Sequence, residues 1–322
     1  MKFAVNTLLV AVVALACNHG GAQTFPSGPV KIIVPFPPGG GTDILARPIA
    51  QKLNERFKLP VVLENRGGAN GTIGTAYVAK SAPADGHTLL IVPSGYAVNP
   101  SLYPNLPYDQ ARDLAAVTQL VSGPLTLVTH PSLPVKNVRE LITLSKERPA
   151  ELNYGSSGVG SLPHLAGEWF ALSAGIRMTH VPYKGSGAAT IDVMSGEVPV
   201  YFMNVLQSLP FIKQGRLRAL GVTGLTRVAI AKEIPTVAES GLAGFDMATW
   251  FGLLVPAATP REIVLRLHSE INAVLQQSEL RERLTADGLT VVASTPDQFT
   301  AFLNSETGKY ARVVQAAGIK AQ

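Results

Sequence analysis

The chain has 322 residues, of which 46% are hydrophobic and 15% are charged, a balance that excludes intrinsic disorder. Its single cysteine excludes a disulfide scaffold, and the six scattered histidines leave no Cys/His zinc site, so we expect no metal. The net charge of +5, from 27 Lys and Arg against 22 Asp and Glu, is spread along the chain without a basic run, which argues against a nucleic-acid partner.

The N-terminus is predicted to be a signal peptide over residues 1–22. Lys2 precedes a mostly apolar run, and small residues follow up to Ala22, which is the order of a secretory signal and its cleavage site. The apolar run is too short for a membrane span, which needs roughly 20 residues. We therefore expect export to the periplasm. A lipid anchor on Cys17 is the alternative, although Ala14 stands where the lipoprotein motif usually has a branched aliphatic residue.

The first part of the exported chain alternates short β-branched runs with segments of helical period. The predicted order is a strand over 30–34, a helix over 43–57, a strand over 61–63, a helix over 73–80 and a strand over 88–92. This βαβαβ order predicts a parallel sheet with helices on both of its faces. Pro48 lies inside the first helix and is expected to kink it near Ile44, because proline removes a hydrogen bond.

The pattern then restarts and predicts a second α/β unit. Its strands are expected over 125–128, 152–154, 178–181 and 198–202, and its helices over 138–147, 163–173, 188–195 and 209–214. After an extended run over 251–255, helices are predicted over 260–276, 278–287 and 296–317. These last helices have no sheet of their own, so we expect the chain to return to the first unit. The sequence therefore predicts two α/β lobes, residues 26–124 with 247–322 and residues 125–246, joined by two hinge crossings as a clamshell.

A glycine-rich loop, PFPPGGGTD over residues 35–43, follows the first predicted strand. Ligands of open α/β sheets lie beyond the carboxyl ends of strands, and bare N–H groups at a helix start favour an anion. The spacing fits neither a phosphate loop nor a dinucleotide fingerprint, so no cofactor is expected. The alternative is a plain turn in which Thr42 or Asp43 caps the helix. Asp43, like Asp192 and Asp246, is isolated in the sequence and is expected to be a cap or a surface charge.

A second loop of this kind, YGSSGVGSLPH over residues 154–164, follows a predicted strand of the second unit. Its serines and N–H groups offer neutral donors to a carboxylate across the cleft. An esterase elbow, Gly-x-Ser-x-Gly, fails because Val159 stands where the second glycine should be. We expect His164 to cap or pack rather than to act as a general base. No nucleophile–base pair is recognisable, so the chain is predicted not to be an enzyme.

At these loops the sequence resembles the Bug-type extracytoplasmic solute receptors, the binding proteins of tripartite tricarboxylate transporters. The likeness runs in order through residues 26–318 and is carried by segments 33–40, 64–66, 69–71, 99–103, 152–165, 180–185, 234–239 and 250–254. The resemblance implies a type-II periplasmic binding fold, a cleft for small carboxylates and no catalysis. It also implies a set of ligand-binding residues: Phe36, Pro38, Gly39, Gly40, Gly41, Thr42, Asp43, Asn70, Gly71, Thr72, Ser94, Ser156, Ser157, Gly158, Gly160, Ser161, Tyr183 and Asn204.

One departure from the family pattern bears on the ligand. Where relatives often have Phe-Asp-Asn, this chain has Phe202, Met203 and Asn204, and the lost carboxylate weakens the case for a ligand with an ammonium group. We expect a monomeric periplasmic receptor that hands a small organic carboxylate to membrane transporter subunits. The alternatives are a sensor domain that docks a membrane signalling protein and, less in keeping with the failed elbow, an exported hydrolase.

Overall fold

The computed structural model describes residues 25–183 and 185–320. The predicted signal peptide, its cleavage site and Cys17 lie outside this part of the chain. The strands are β1 (Val30–Val34), β2 (Val61–Asn65), β3 (Thr88–Pro93), β4 (Leu114–Thr129), β5 (Asn153–Ser156), β6 (Thr179–Pro182), β7 (Val200–Asn204), β8 (Arg218–Val222), β9 (Ala248–Pro256) and β10 (Thr290–Val291).

The helices alternate with these strands as the sequence pattern predicts. They are α1 (Gly41–Phe57), α2 (Thr72–Lys80), α3 (Asn99–Leu102), α4 (Gln110–Asp113), α5 (Val138–Glu147), α6 (Leu162–Ala174), α7 (Ser186–Ser195), α8 (Val205–Lys213), α9 (Arg261–Leu275), α10 (Ser278–Ala286) and α11 (Pro296–Ala317). α1 runs unbroken through Pro48. None of the helices in the described part of the chain combines the length and apolar character that a membrane-spanning segment needs.

The strands follow one path in the order β2-β1-β3-β9-β4-β7-β5-β6, with β8 and β10 also paired to β4. β1 is parallel to β2 and β3, and β5 is parallel to β6 and β7, whereas β4 and β9 run antiparallel to their neighbours. We call β1–β3, β9 and their covering helices the first lobe, and β5–β8 with theirs the second lobe. Each lobe thus has a small parallel sheet whose strands point their carboxyl ends in one direction.

β4 and β9 are the two crossings between the lobes. The first part of β4, up to Pro124 opposite Ala248, pairs with β9, whereas the part from Leu125, opposite Asn204, pairs with β7 and β8. The change of partner falls directly after Pro124, which has no N–H to give to a ladder. The strand that leaves the first lobe therefore becomes an inner strand of the second, and β9 brings the chain back.

The C-terminal helices cover the first lobe, and the last one also reaches the second. α9 packs against α1 and β4, and Ile271 shares a core with Ile49 and Val34. α11 packs against β4 and α6, and its Phe299 lies edge-to-face on Trp250 of β9 at 6.0 Å between ring centroids. α11 therefore packs against both lobes, on one side of the crossing strands.

Candidate functional site

A cavity lies between the lobes at the carboxyl ends of the parallel strands. Its volume is about 320 Å³, and it is lined by residues 39–41 of the first lobe and by Ser186 and Asn204 of the second. A larger cavity of about 920 Å³ lies around Tyr96 and Tyr108 of the first lobe and contains none of the predicted ligand-binding residues. Ligands of α/β sheets bind beyond the carboxyl ends of strands. Position rather than volume therefore makes the smaller cavity the candidate site.

The loop after β1 is organised by the buried carboxylate of Asp43, whose side chain is 0% exposed. It accepts hydrogen bonds from the N–H of Gly39 at 2.9 Å, from the Arg47 guanidinium at 2.8 and 3.1 Å and from the Asn65 amide at 3.1 Å. Burial raises the pKa of Asp43, but the hydrogen bonds from Gly39, Asn65 and Arg47 outweigh burial and hold the pKa below its usual value. Asp43 is an internal anchor of the loop.

The expectation that Thr42 or Asp43 caps α1, or that Asp43 is an isolated surface charge, was wrong. The cap position belongs to Gly40, in extended conformation, and no side chain caps the helix. Thr42 and Asp43 are both buried in the first turn, while Gly40 and Gly41 are exposed at the cavity. The first turn of a helix has N–H groups without intrahelical partners. These backbone donors are what the loop offers to a ligand.

The loop after β5 is held by its own side chains. The Ser156 hydroxyl lies 2.6 Å from Nε2 of His180, accepts the N–H of Gly158 at 3.1 Å and lies 3.1 Å from the Gly158 carbonyl. The Ser161 hydroxyl donates to the same carbonyl at 2.7 Å. Ser156 is fully buried, so its hydroxyl serves the loop rather than the cavity.

The other end of this loop is held by His164, at the start of α6. Its Nδ1 accepts the N–H of Gly160 at 3.1 Å, one residue before the cap position Ser161, so the buried histidine packs and holds the loop and does not cap the helix itself. Ser157 is half-buried, and its hydroxyl makes no hydrogen bond within residues 25–183 and 185–320. Ser157 is therefore the hydroxyl of this loop that remains available to a ligand.

Two further predicted residues are engaged at the edge of the cleft that α3 covers. The Asn70 amide donates to Oδ1 of Asn99 at 2.8 Å, and the Asn99 amide donates back to the Asn70 carbonyl at 3.2 Å. The Ser94 hydroxyl accepts the N–H of Trp250 at 3.4 Å. Their polar groups thus connect the loops after β2 and β3 with each other and with β9.

The remaining predicted residues differ in their exposure. The Phe36 ring covers Gly71, where an added Cβ would meet it at 3.2 Å, and the Tyr183 hydroxyl donates to Asp192 at 2.6 Å. Asn204 is exposed at the start of α8, whereas its neighbour Met203 is buried. The predicted residues that do not line the cavity are Phe36, Pro38, Thr42, Asp43, Asn70, Gly71, Thr72, Ser94, Ser156, Ser157, Gly158, Gly160, Ser161 and Tyr183.

The structure adds charged residues that the sequence did not single out. Arg283 and Asp287, from the end of α10, line the cavity together with Gly39 and Asn204. Arg283 is exposed, and none of the ion pairs among residues 25–183 and 185–320 involves it. No sequence spacing indicates this arginine, because α10 reaches the loop after β1 only through the return of the chain to the first lobe.

Comparison with known proteins gives a family match over most of the chain. The model of the tripartite tricarboxylate transporter family receptor matches residues 45–319. Protein BugT of Bordetella pertussis is 39% identical over 322 residues, which cover 98% of each chain.

Solved structures are similar over the same extent. The structure of R. palustris Rpa4515 with adipate has a TM-score of 0.83 and 36% identity, covering 92% of this chain and 100% of that one. MatC from Rhodopseudomonas palustris, with bound malate, has a TM-score of 0.78 and 30% identity, covering 90% of this chain and 100% of that one. These likenesses confirm the predicted two-lobed α/β periplasmic binding fold.

Proposed function

Because the chain belongs to the tripartite tricarboxylate transporter receptor family, we propose that it captures a small dicarboxylate between its lobes and delivers it to a membrane transporter. Membership confirms the resemblance seen in the sequence and makes the chain a periplasmic solute-binding receptor. Two relatives are described with dicarboxylates, adipate in one and malate in the other. The carboxylate class is carried over from them, and the site of capture is inferred from the cavity.

The single observation that supports this function is the composition of the inter-lobe cavity. Backbone donors come from Gly40 and Gly41, and amide and hydroxyl groups come from Asn204 and Ser186. The guanidinium of Arg283 adds a cation to the wall, beside the carboxylate of Asp287. A hydrogen bond to a charged group contributes about 1.5–3 kcal/mol. Three to five such contacts are enough for micromolar binding, which corresponds to about −8 kcal/mol.

The test is calorimetric titration of ligand-free mature protein with adipate, malate and hexanoate. Hexanoate matches adipate in chain length but has a single carboxylate. We expect a dicarboxylate to bind in the micromolar range and hexanoate to bind at least ten-fold more weakly, because the donors at one end of the cavity then have no carboxylate to bind. Absence of binding by every carboxylate tested would contradict the proposed function.

Delivery to a transporter is tested separately from capture. The partner is expected to be a membrane protein complex whose uptake of the dicarboxylate stops when the receptor is removed and returns when it is added back. Uptake that proceeds unchanged without the receptor, together with ligand-dependent activation of a signalling protein, would favour the sensor alternative instead.

Within residues 25–183 and 185–320, the contact between Ser156 and His180 would favour a hydrolase, since it joins a hydroxyl to an imidazole at 2.6 Å. Three observations support a structural role. Ser156 is fully buried, its oxygen is shared with both backbone groups of Gly158, and burial lowers the pKa of His180 to about 4, which makes it a weak base. We therefore expect no turnover of carboxylate esters, measured by release of the alcohol.

A further inference from the structure

Two histidines stack beneath the loop after β5. The rings of His164, from the first turn of α6, and His180, from β6, lie 3.7 Å apart between centroids with 6° between their planes. The ring of Tyr154 continues the stack, 5.1 Å from that of His180. His164 is 4% exposed and His180 is partly buried. The arrangement is a column of aromatic rings under one loop that faces the cleft.

Each histidine holds one end of that loop. His180 contacts the Ser156 hydroxyl, which in turn binds Gly158, and His164 accepts the N–H of Gly160. Gly158 and Gly160 have φ angles of 133° and 77°, a region that favours glycine. The loop therefore has a special backbone shape whose two ends are fixed through imidazole nitrogens.

The position of the loop also determines a contact between the lobes. A Cβ added at Gly160 would lie 2.3 Å from Cδ1 of Leu102, in α3 of the first lobe. The backbone of Gly160 thus lies directly against the first lobe, and its N–H is the group that His164 holds. A shift of this hydrogen bond would move the loop relative to the opposite side of the cleft.

Both contacts are suited to uncharged rings. A neutral His164 has a lone pair on Nδ1 for the Gly160 N–H, whereas a protonated ring would place a second hydrogen there and repel it. Two cationic rings at 3.7 Å would also repel each other. Burial, with a smaller contribution from His180, lowers the pKa of His164 to about 3, and burial lowers that of His180 to about 4.

The ionisable neighbours of the stack are Glu168 of α6 and Tyr154 of β5. Glu168 Oε1 lies 3.9 Å from His164 Nε2 and accepts the Tyr154 hydroxyl at 2.5 Å. Burial raises the pKa of Glu168, so this carboxyl gains its proton earlier than an exposed one as the pH falls. No other ion pair in the described part of the chain involves either histidine.

We propose that His164 and His180 are a positioning pair, which holds the loop over residues 156–161 in its ligand-binding shape while both rings are uncharged and weakens ligand binding when either ring takes up a proton. The pair acts through the loop and does not contact the ligand. This inference rests on the proposed function. The loop does not line the cavity, and it affects the ligand through the contact of Gly160 with the first lobe, which determines how the two lobes meet around the cavity. It assigns a role to two side chains that capture of a carboxylate does not by itself require.

The first test compares His164→Gln with His164→Leu, using adipate as the probe at pH 7. A glutamine at position 164 retains a side-chain oxygen that can accept the Gly160 N–H, the hydrogen bond that Nδ1 of His164 makes. We expect His164→Gln to stay within about three-fold of wild-type affinity and His164→Leu to lose about five- to ten-fold, the effect of one hydrogen bond. His130→Leu, at a partly exposed histidine bonded to Ser132, is the matched control.

The second test is the pH profile of the same titrations. Protonation of adipate affects all variants equally, so the ratio of wild-type affinity to that of a His164→Gln, His180→Gln double variant isolates the histidines. That ratio is expected to be constant above about pH 5.5 and to fall about two-fold by pH 4, where His180 is half protonated. A merely structural role of His164 would leave the ratio unchanged with pH, and a flat ratio would overturn the proposal.

The third test uses wild-type protein, so it does not depend on a variant that folds. The protection factor of the Gly160 amide, its exchange rate followed by NMR relative to that of an unstructured chain at the same pH, is expected to fall as the histidine ring signals titrate. Gly160 protection that persists after both rings are charged would overturn the proposal. So would wild-type affinity in a folded His164→Leu protein. A wild-type protein that binds no carboxylate would instead remove the proposed function, and the Gly160 exchange would still report on the pair.

Discussion

The loops after β1 and after β5 look alike in sequence, but different chemistry holds them. Both connect a parallel strand to a helix through glycines, and both were predicted to offer donors to an anion. In the first, the charged Asp43 binds Gly39 and Arg47, so the loop depends on an ionised carboxylate. In the second, the neutral rings of His164 and His180 hold the backbone. Similar loops can therefore respond to acid through different groups.

The difference also determines which polar groups are left for a ligand. The carboxylate in the first loop uses the N–H of Gly39 and leaves Gly40 and Gly41 exposed at the cavity. The second loop uses most of its serines and N–H groups internally and leaves the Ser157 hydroxyl. The first lobe thus contributes backbone donors at a helix start. The second lobe contributes few hydrogen-bond donors from its loop, whose role is mainly the shape of its backbone.

The largest effect is expected from the carboxylate that organises the first loop. Asp43→Asn keeps the size of the side chain but replaces an oxygen acceptor with an NH₂ donor that faces the N–H groups of Gly39 and Arg47. We expect a loss of about 3 kcal/mol in the free energy of unfolding, measured by urea denaturation, because charge-assisted bonds to a buried group are lost. Asp297→Asn, in an exposed pair with Arg261, should change little. Equal stability of both variants would contradict the anchor role of Asp43.

Gly40→Val tests whether the first loop lines the ligand site. Gly40 has a φ of −75°, and an added Cβ would meet only the Pro37 carbonyl, at an ordinary 3.5 Å. The variant should therefore fold normally while its side chain fills the cavity. We expect adipate affinity to fall at least 100-fold, about 2.7 kcal/mol. Wild-type affinity in the folded variant, measured by calorimetry, would remove this loop from the site.

The elements that sequence reasoning placed well are those with a strong hydrophobic signal. β1 and β3 are largely aliphatic runs, interrupted in β1 only by Lys31, and their buried residues match the predicted strands. The first part of β4 was missed because Thr118 and Gln119, although buried, interrupt the apolar pattern in a strand covered on both faces. β8 was missed because it is a short run that contains Gly221.

The loops of the site could be predicted, but their contacts could not. The position of a glycine-rich turn after a strand is a local property, so residues 39–41 were identified from the sequence. The contact of Ser156 with His180, and the place of Arg283 beside Gly39, depend on the order of strands in the sheet and on the return of the chain. Spacing along the chain does not encode such neighbours.

Acid stability should separate the two loops. Unfolded histidines titrate near pH 6.5, about 3 units above the pKa values of the two stacked histidines. Between these values the unfolded chain binds protons that the folded chain does not bind. Stability should therefore fall by about 2 kcal/mol for each histidine between pH 6.5 and 4.5, so His164→Gln should lose about half as much as wild type. Because the pKa of Asp43 is lowered in the folded protein, the stability that its ionised carboxylate provides is lost only below about pH 4. Identical pH dependence of the two proteins in urea denaturation would argue against neutral histidines.

Ser157→Ala tests whether the loop after β5 provides a hydroxyl donor to the ligand. Its hydroxyl makes no hydrogen bond among the described residues, and although Ser157 does not line the cavity, closure of the lobes would bring it towards the ligand. An alanine removes that donor without a change in backbone. We expect adipate to bind about ten-fold more weakly, equivalent to about 1.4 kcal/mol, with stability unchanged. Ser132→Ala, far from the cleft and bonded to His130, is the matched control. A Ser157→Ala protein that binds as tightly as wild type would leave the second loop with a purely shaping role.

The smallest effect is expected at Arg283, where charge rather than loop shape is tested. The side chain is exposed, so its attraction for an anion is screened by water and amounts to about 1 kcal/mol. Arg283→Gln should therefore weaken adipate about five-fold and leave hexanoate within two-fold, because hexanoate lacks the second carboxylate. Arg281→Gln, on the same helix but not on the cavity wall, is the control. Raising the ionic strength should shrink the difference between Arg283→Gln and wild type, since exposed charges are screened by salt. An equal loss of affinity for adipate and hexanoate would mean that Arg283 shapes the cavity wall and does not bind the second carboxylate.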